Sequence, residues 1–131
     1  MQFYVGCSGW SYTAWKGTFY PPQLENSKWL QFYSGAFDYV EIDSSYYRIP
    51  NNFMVKNWYK KTPDNLRFTA KFPKVITHDK RLKNVENDLE YFLKVITEIH
   101  DKGLALFLQL PPVIKDIRRT RSIKEFTSIP R

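Results

Sequence analysis

Apolar stretches rich in β-branched and aromatic residues occur at four places along the chain. They cover residues 3–9, 39–43, 67–72 and 104–110. Each has the length and composition of a β-strand. In the second stretch, apolar and polar side chains alternate with a period of two, which places Glu41 and Asp43 together on one face. The pattern therefore predicts four strands.

The segments between these strands carry apolar residues at helical spacing. In residues 84–102 the apolar positions recur every three or four residues. They are Val85, Leu89, Phe92, Ile96 and Ile99. Asn84 is a suitable N-cap for this helix, and Gly103 is placed to close it. The same apolar spacing predicts two more helices, over residues 27–37 and 53–62.

The predicted order is βαβαβαβ, followed by a short helix near residues 122–128. Alternating strands and helices indicate an α/β fold, in which a parallel sheet is covered by helices through right-handed crossovers. The 131 residues are enough for a single domain, which we place at 1–131. In such sheets, ligands bind at the carboxyl ends of the strands.

Charged and polar residues follow, or lie within, three of the four strands near these ends. Glu41 and Asp43 end the second strand, Lys71 and His78 belong to the end of the third, and Gln109 belongs to the fourth. A charge inside a buried strand is costly unless it is paired. These positions therefore indicate a polar centre, with Glu41, Asp43, Lys71 and His78 as candidate catalytic residues.

Three chemistries fit this centre. Glu41, Asp43 and His78 could hold a divalent metal, since carboxylate and imidazole suit Mg, Mn or Zn. Alternatively, one carboxylate could act as a general base. The third interpretation is a structural network in which Glu41 pairs with Lys71 across adjacent strands. The pattern favours the network over the metal, because no second His or Cys lies at ligand spacing.

Aromatic residues form an unusual 18% of the chain, with ten Phe, nine Tyr and four Trp. Several follow strand ends, where a ring could stack on a base or sugar and Arg48 could bind phosphate. Others, such as Trp29 and Trp58, are placed at helical spacing and predict packing. The candidate ligand-binding residues are Ser8, Trp10, Tyr12, Trp15, Tyr46, Tyr47, Arg48 and Gln109.

The formal net charge is +7, and residues 115–131 contain six basic and two acidic side chains. Such a basic segment fits phosphate binding and a solvated surface equally well. A single cysteine, Cys7, excludes an internal disulfide framework and indicates a reducing compartment. No apolar run approaches the length of a membrane span, so we predict a cytoplasmic protein without membrane contact.

Four stretches resemble the YecE-like family (domain of unknown function 72) in order and in spacing. They are GCSGWSYTAWKGTFYPP (6–22), YVEIDSSYYRIP (39–50), WYKKTPDNLRFTAKFPKVITH (58–78) and LFLQLPP (106–112). The resemblance implies a TIM barrel. Family members have about 250 residues, as eight strands require, so this chain corresponds to the N-terminal half. The family pattern has Asn where this chain has Asp43.

By fold analogy, the resemblance suggests a metal-dependent phosphoester hydrolase acting on a phosphorylated or nucleic-acid ligand. Two alternatives remain open: a non-catalytic module that binds nucleic acid or phosphate, and a truncated, inactive product. Four strands do not close a barrel. We therefore also predict a homodimer in which the fourth strand of each copy lies beside the first strand of the other.

Overall fold

The computed structural model describes residues 1–112. Its centre is a four-stranded sheet in which the strands lie side by side in chain order and all pairings are parallel. The strands are β1 (Gly6–Ser8), β2 (Tyr39–Ile42), β3 (Arg67–Lys71) and β4 (Gly103–Phe107). This confirms the predicted parallel α/β fold. The predicted helix near 122–128 and the basic segment 115–131 lie outside the described residues.

Three α-helices connect the strands. They are α1 (Trp29–Ala36), α2 (Asn52–Lys61) and α3 (Glu86–Ile96). Short 3₁₀ segments and one π-turn occupy Thr13–Trp15, Asn26–Lys28, Ser44–Tyr46, Val75–Asp79 and Thr97–Lys102. In the described part of the chain, no helix has the length and apolar character needed to cross a bilayer.

The prediction of a single helix over residues 84–102 is wrong about where the helix begins and ends. The α-helix stops at Ile96 and continues as a 3₁₀ segment that is interrupted at His100, where φ is 51° and ψ is −129°. This reversal turns the chain from the helix towards β4. Asn84 does not cap the helix, because it adopts φ 51° and Val85 occupies the N-cap position. Gly103 begins β4 with an extended backbone.

The core lies between one face of the sheet and the helices. Side chains of the two central strands that point to this face are almost fully buried, and so are the helix residues that meet them. The sheet contributes Val40, Ile42, Phe68 and Ala70, and the helices contribute Trp29, Leu30, Tyr33, Val55, Phe92 and Val95. The alternation along the strands sends the intervening polar residues to the opposite face. That face presents Glu41, Thr69 and Lys71 in the region of the predicted site.

A buried tyrosine joins β1 to β2. The hydroxyl group of Tyr33 accepts a hydrogen bond from the Cys7 amide at 2.6 Å and donates one to the Tyr39 carbonyl at 2.8 Å. Burial raises the pKa of this phenol well above its usual range, so it remains neutral. The hydroxyl passes close to Gly6, which has no side chain to obstruct it. The short first strand is thus fixed by a side chain from α1.

Candidate functional site

The carboxyl ends of β1 and β2 are held together by backbone hydrogen bonds. Ser8 lies beside Glu41 in the parallel ladder, and the Gly9 amide donates to the Glu41 carbonyl at 2.9 Å. The Asp43 amide donates to the same carbonyl at 3.1 Å. Both carboxylate side chains are half-buried. The sequence prediction that Glu41 and Asp43 mark a strand end is therefore confirmed in its position.

Tyr12 returns from the loop after β1 to the same place. A Cβ atom at Gly9 would lie 2.8 Å from both the Asp43 Oδ1 atom and the Tyr12 hydroxyl oxygen, so these two groups share the space above that glycine. Gly9 also has φ 78°, which a residue with a side chain adopts only at a cost. The Tyr12 hydroxyl donates to the Ser8 carbonyl. Loss of hydration, followed by the negative charge of Asp43, raises the pKa of Tyr12.

A buried serine connects this acidic region to the end of β3. The Ser45 Oγ atom lies 2.8 Å from the Ile42 carbonyl oxygen and 2.6 Å from the Lys71 carbonyl oxygen, and its single proton is shared between them. The side chain is fully buried. Because Ser45 anchors the loop after β2 to β3, the next residue, Tyr46, is held beside the side chain of Lys71.

Tyr46, Lys71 and His78 form a second, cationic and aromatic region of the site. The Lys71 Nζ atom lies 4.9 Å from the centre of the Tyr46 ring, within the range of a cation–π interaction. The imidazole of His78 meets the same ring edge-on, with 5.3 Å between ring centres. Its Nδ1 atom lies 2.8 Å from the Thr77 hydroxyl, which orients the ring.

Ser45→Ala is expected to destabilise the chain by about 1–3 kcal/mol, because two carbonyl groups in a buried setting lose their shared donor. The matched control is Ser44→Ala, at the exposed neighbouring position, which is expected to change stability by less than about 0.5 kcal/mol. Urea unfolding followed by circular dichroism measures both values. Equal stability of the two variants would contradict the anchoring role of Ser45.

The structure does not contain the predicted pairing of Glu41 with Lys71. Within residues 1–112, no ion pair joins them: Glu41 lies beside Thr69 in the ladder, whereas Lys71 lies further along β3, beside Phe107. Lys71 contacts the Tyr46 ring instead. The predicted structural network is therefore wrong in its main contact, the ion pair between Glu41 and Lys71.

The predicted metal ligands are also kept apart. In the described part of the chain, no three His, Cys, Asp or Glu side chains lie close enough to hold a metal ion. Glu41 and Asp43 belong to the side of the site formed by β1 and Tyr12. His78 instead contacts Tyr46 and Thr77 on the β3 side. Glu41, Asp43 and His78 thus do not form the predicted metal-binding trio.

Two of the predicted stacking residues are used in packing. Trp10 meets Trp58 edge-on at 5.3 Å between ring centres. Trp15 lies in an aromatic cluster that includes Tyr12, Phe19, Tyr20 and Tyr33. Both tryptophans are half-buried. The prediction that Trp29 and Trp58 are packing residues agrees with the buried Trp29 and with the Trp10–Trp58 contact.

Four of the other candidate ligand-binding residues, Ser8, Tyr47, Arg48 and Gln109, are exposed. Tyr47 is 76% exposed, and Arg48 beside it is exposed and forms no ion pair or side-chain hydrogen bond with the described residues. Ser8 and Gln109 are exposed as well, with Gln109 lying just beyond the end of β4. Gly9, Ser45 and Thr77 were not among the candidate site residues predicted from the sequence. A glycine directly after a strand was a signal for the first, but no sequence signal marked the buried serine and threonine.

A parallel sheet with helices on one face, and polar side chains at the carboxyl ends of its strands, is typical of TIM-barrel-like α/β proteins. The described chain is a four-stranded portion of a TIM-barrel-like α/β protein. The family model "Protein of unknown function DUF72" matches residues 4–131. The chain therefore belongs to the DUF72 family, as the resemblance to YecE-like proteins predicted.

Named relatives support this membership. The chain is 32% identical over 117 residues to the UPF0759 protein YunF of Bacillus subtilis, covering 85% of this chain and 40% of YunF. It is 30% identical over 97 residues to the UPF0759 protein YecE of Escherichia coli K12, covering 69% of this chain and 36% of YecE. The chain thus spans well under half the length of these relatives.

Solved structures show the same fold. A DUF72 family protein from Thermotoga maritima superposes with a TM-score of 0.74 and 32% sequence identity, covering 93% of this chain and 49% of that one. A DUF72 family protein from Enterococcus faecalis superposes with a TM-score of 0.69 at 20% identity, covering 92% and 44%. The chain therefore corresponds to about half of these structures.

Proposed function

We propose that this chain contributes to a hydrolase-like barrel that binds a phosphorylated or nucleic-acid ligand at the carboxyl ends of its strands. The observation that supports this most strongly is the position of Lys71. Its ammonium group faces the Tyr46 ring at 4.9 Å and has no carboxylate partner among residues 1–112. A cation held in place without a counter-charge is suited to an anionic ligand.

Lys71 and His78 are the proposed phosphate contacts. Both side chains contact the Tyr46 ring, which fixes their positions relative to one another. The cation–π contact orients the ammonium group but leaves its charge to be neutralised, and three N–H donors are available for phosphate oxygens. Arg48, exposed two residues after Tyr46 in the same loop, is placed to extend this cationic surface towards a longer ligand.

Glu41 and Asp43 supply the proposed base. One of the two carboxylates would take a proton from water as the water oxygen attacks phosphorus. As the phosphorus–oxygen ester bond breaks, protonated His78 would give its proton to the leaving oxygen.

Lys71→Gln is expected to weaken ligand binding about tenfold or more, because a charged hydrogen bond to phosphate contributes about 1.5–3 kcal/mol. The matched control is Lys74→Gln, at an exposed lysine three residues further on. The measurement is titration with a panel of phosphoesters and short oligonucleotides, followed by thermal shift and product analysis. Equal affinities of the two variants would remove the basis for the proposed role of Lys71.

The second candidate is a non-catalytic module for single-stranded nucleic acid, favoured by the high exposure of Tyr47 beside Arg48. The same titrations at two salt concentrations separate the candidates. Binding that weakens steeply with salt and yields no product favours the module. Product formation favours the hydrolase, and the absence of both binding and product favours an inactive chain.

A reducing, cytoplasmic location is part of the proposal, on the basis of the single free cysteine.

A further inference from the structure

Thr77 and His78 are adjacent in the chain, yet a hydrogen bond joins their side chains. Successive residues of an α-helix point about 100° apart, so their side chains rarely meet. Here both residues lie in the π-turn Val75–Asp79, and the Thr77 Oγ1 atom lies 2.8 Å from the His78 Nδ1 atom. Thr77 is fully buried and His78 is half-buried. The protein interior therefore holds the hydroxyl group, and one nitrogen of the imidazole is committed to it.

The single proton of the Thr77 hydroxyl has two possible acceptors, the Pro73 carbonyl and the His78 ring. The Pro73 carbonyl already accepts the amides of Ile76 at 3.0 Å and Thr77 at 3.2 Å. The Thr77 hydroxyl lies 3.3 Å from this carbonyl, which is longer than an ordinary O–H···O hydrogen bond. The Nδ1 atom, at 2.8 Å, is therefore the better acceptor. In neutral His78, Nδ1 then carries the lone pair and Nε2 carries the proton.

We propose that Thr77 is a positioning residue that holds neutral His78 as the Nε2–H tautomer, so that this N–H group binds an anionic ligand. Within residues 1–112, Nε2 forms no hydrogen bond or ion pair and is free to do so. When the ring is protonated, both nitrogens carry protons. Nε2 is thus a donor to a phosphate oxygen in either charge state. The tautomer stands on the geometry alone, and its ligand rests on the proposed function.

The same hydroxyl group also suits the acid step proposed for His78. When the imidazolium gives its Nε2 proton to the leaving oxygen, the proton on Nδ1 remains and is donated to the Thr77 oxygen. The hydroxyl proton then turns to the Pro73 carbonyl, which lies within reach at 3.3 Å. Because a hydroxyl group both donates and accepts, the ring keeps its orientation against Tyr46 throughout. Valine has the shape of threonine but can do neither.

The tautomer is measured by heteronuclear NMR of the ring nitrogens at about pH 9, at which an imidazole is neutral. The chain contains two histidines, so His100→Asn assigns the remaining ring signals to His78. In the full wild-type chain we expect a single tautomer, with the proton on Nε2. Thr77→Val is expected to give the mixture of tautomers found in the urea-unfolded chain. Thr77→Ser, which keeps the hydroxyl group, is expected to retain the wild-type signals.

Circular dichroism melting checks that each variant is folded. A proton on Nδ1 in the neutral wild type, or the tautomer mixture of the unfolded chain, would overturn the assignment. Wild-type signals in Thr77→Val would overturn it as well, and so would their loss in a folded Thr77→Ser chain. If Thr77→Val does not fold, the wild-type and Thr77→Ser spectra still decide the tautomer.

The ligand is tested separately, with inorganic phosphate at the same pH. We expect phosphate to shift the Nε2 signal of the wild type. Thr77→Val is expected to bind phosphate about five- to tenfold more weakly, because it loses one neutral hydrogen bond. Equal affinities would rule out the Nε2–H group as a phosphate donor. A wild type that binds no phosphate would contradict the proposed function, whereas the tautomer is measured without ligand and is decided independently.

Discussion

Gly6→Ala is expected to lower the free energy of unfolding by about 3 kcal/mol or more, since it forces extra volume into a closed contact. A Cβ atom at this position would overlap the carbonyl oxygen of Tyr39 and would lie 2.7 Å from the Tyr33 hydroxyl. The first obstacle is backbone of the neighbouring strand, which cannot move aside as a flexible side chain does. The second is the hydroxyl group that bridges β1 and β2.

Relief of this overlap requires either separation of β1 from β2 or withdrawal of Tyr33. Separation breaks the ladder that holds the first strand, and withdrawal leaves the Cys7 amide and the Tyr39 carbonyl without their partner. Both routes are costly, and this is the reason for the large expected effect. Because β1 positions Gly9 and Tyr12, the acidic side of the candidate site is expected to lose its geometry as well.

The chain offers a matched glycine for comparison. Gly35 lies in α1 on an exposed surface, and a Cβ atom there would contact nothing within 4 Å. Gly35→Ala is expected to stabilise the chain by about 0.5–1 kcal/mol, because alanine is the better helix former. Urea unfolding of both variants measures the change in the free energy of unfolding, which is expected to be a loss for Gly6→Ala and a gain for Gly35→Ala. A Gly6→Ala chain as stable as the wild type would mean that β1 and β2 are not joined as described.

The sequence predicted the sheet well because its signals are local and repeated. Each strand and helix places one face against the same apolar core. This gives the alternation in residues 39–43 and the helical spacing in residues 27–37 and 53–62, both of which can be read directly from the sequence. The strand ends then followed from the parallel topology. For this reason the sequence predicts Glu41, Asp43 and Lys71 at the same end of the sheet. The structure confirms Glu41 within β2 and Lys71 within β3, whereas Asp43 lies one residue beyond β2.

The contacts made by these side chains were less predictable. Lys71 could reach Glu41 or Tyr46 from the same backbone position, and the buried hydroxyl of Ser45 decides the outcome by fixing the loop that carries Tyr46. His78 lies in a π-turn rather than directly at the strand end, which directs its ring to Tyr46. Long-range contacts of this kind depend on loop geometry, for which a single sequence contains no periodic signal.

The end of the predicted helix 84–102 illustrates a different limit. Its apolar spacing continues to Ile99, so the pattern gives no reason to stop at Ile96. The structure interrupts the helix at His100, and the residues on either side of the interruption, Ile99 and Lys102, are both buried. A lysine near a helix end is normally expected in solvent. Here it contacts a different helix, and this contact leads to a second prediction with a large effect.

Lys102→Met is expected to destabilise the chain by about 3 kcal/mol, because it removes the groups that satisfy the end of α2. Lys102 is only 2% exposed, and its Nζ atom donates to the carbonyls of Tyr59 at 2.8 Å and Thr62 at 2.7 Å. The ammonium group also lies 4.3 Å from the centre of the Tyr59 ring. A positive charge at the carboxyl end of a helix interacts favourably with its dipole.

Methionine has a similar shape but no donor, so two carbonyl groups lose their partner in a buried setting. A buried ammonium group also carries a desolvation penalty, which disappears when methionine replaces it. The expected loss of stability is therefore smaller than the sum of the lost hydrogen bonds. The control is Lys60→Met, in the last turn of the same helix, where the side chain is exposed. That variant is expected to change stability by less than about 0.5 kcal/mol.

The pH dependence gives an independent check on Lys102. Burial lowers its pKa below the usual 10.5, so between the two values the folded chain binds fewer protons than the unfolded chain. The wild type is therefore expected to gain stability relative to Lys102→Met as the pH rises through this alkaline range towards 10.5. Urea unfolding of both chains at several pH values measures the change. A stability difference that stays constant or shrinks with rising pH would contradict a buried, charged Lys102 at the end of α2.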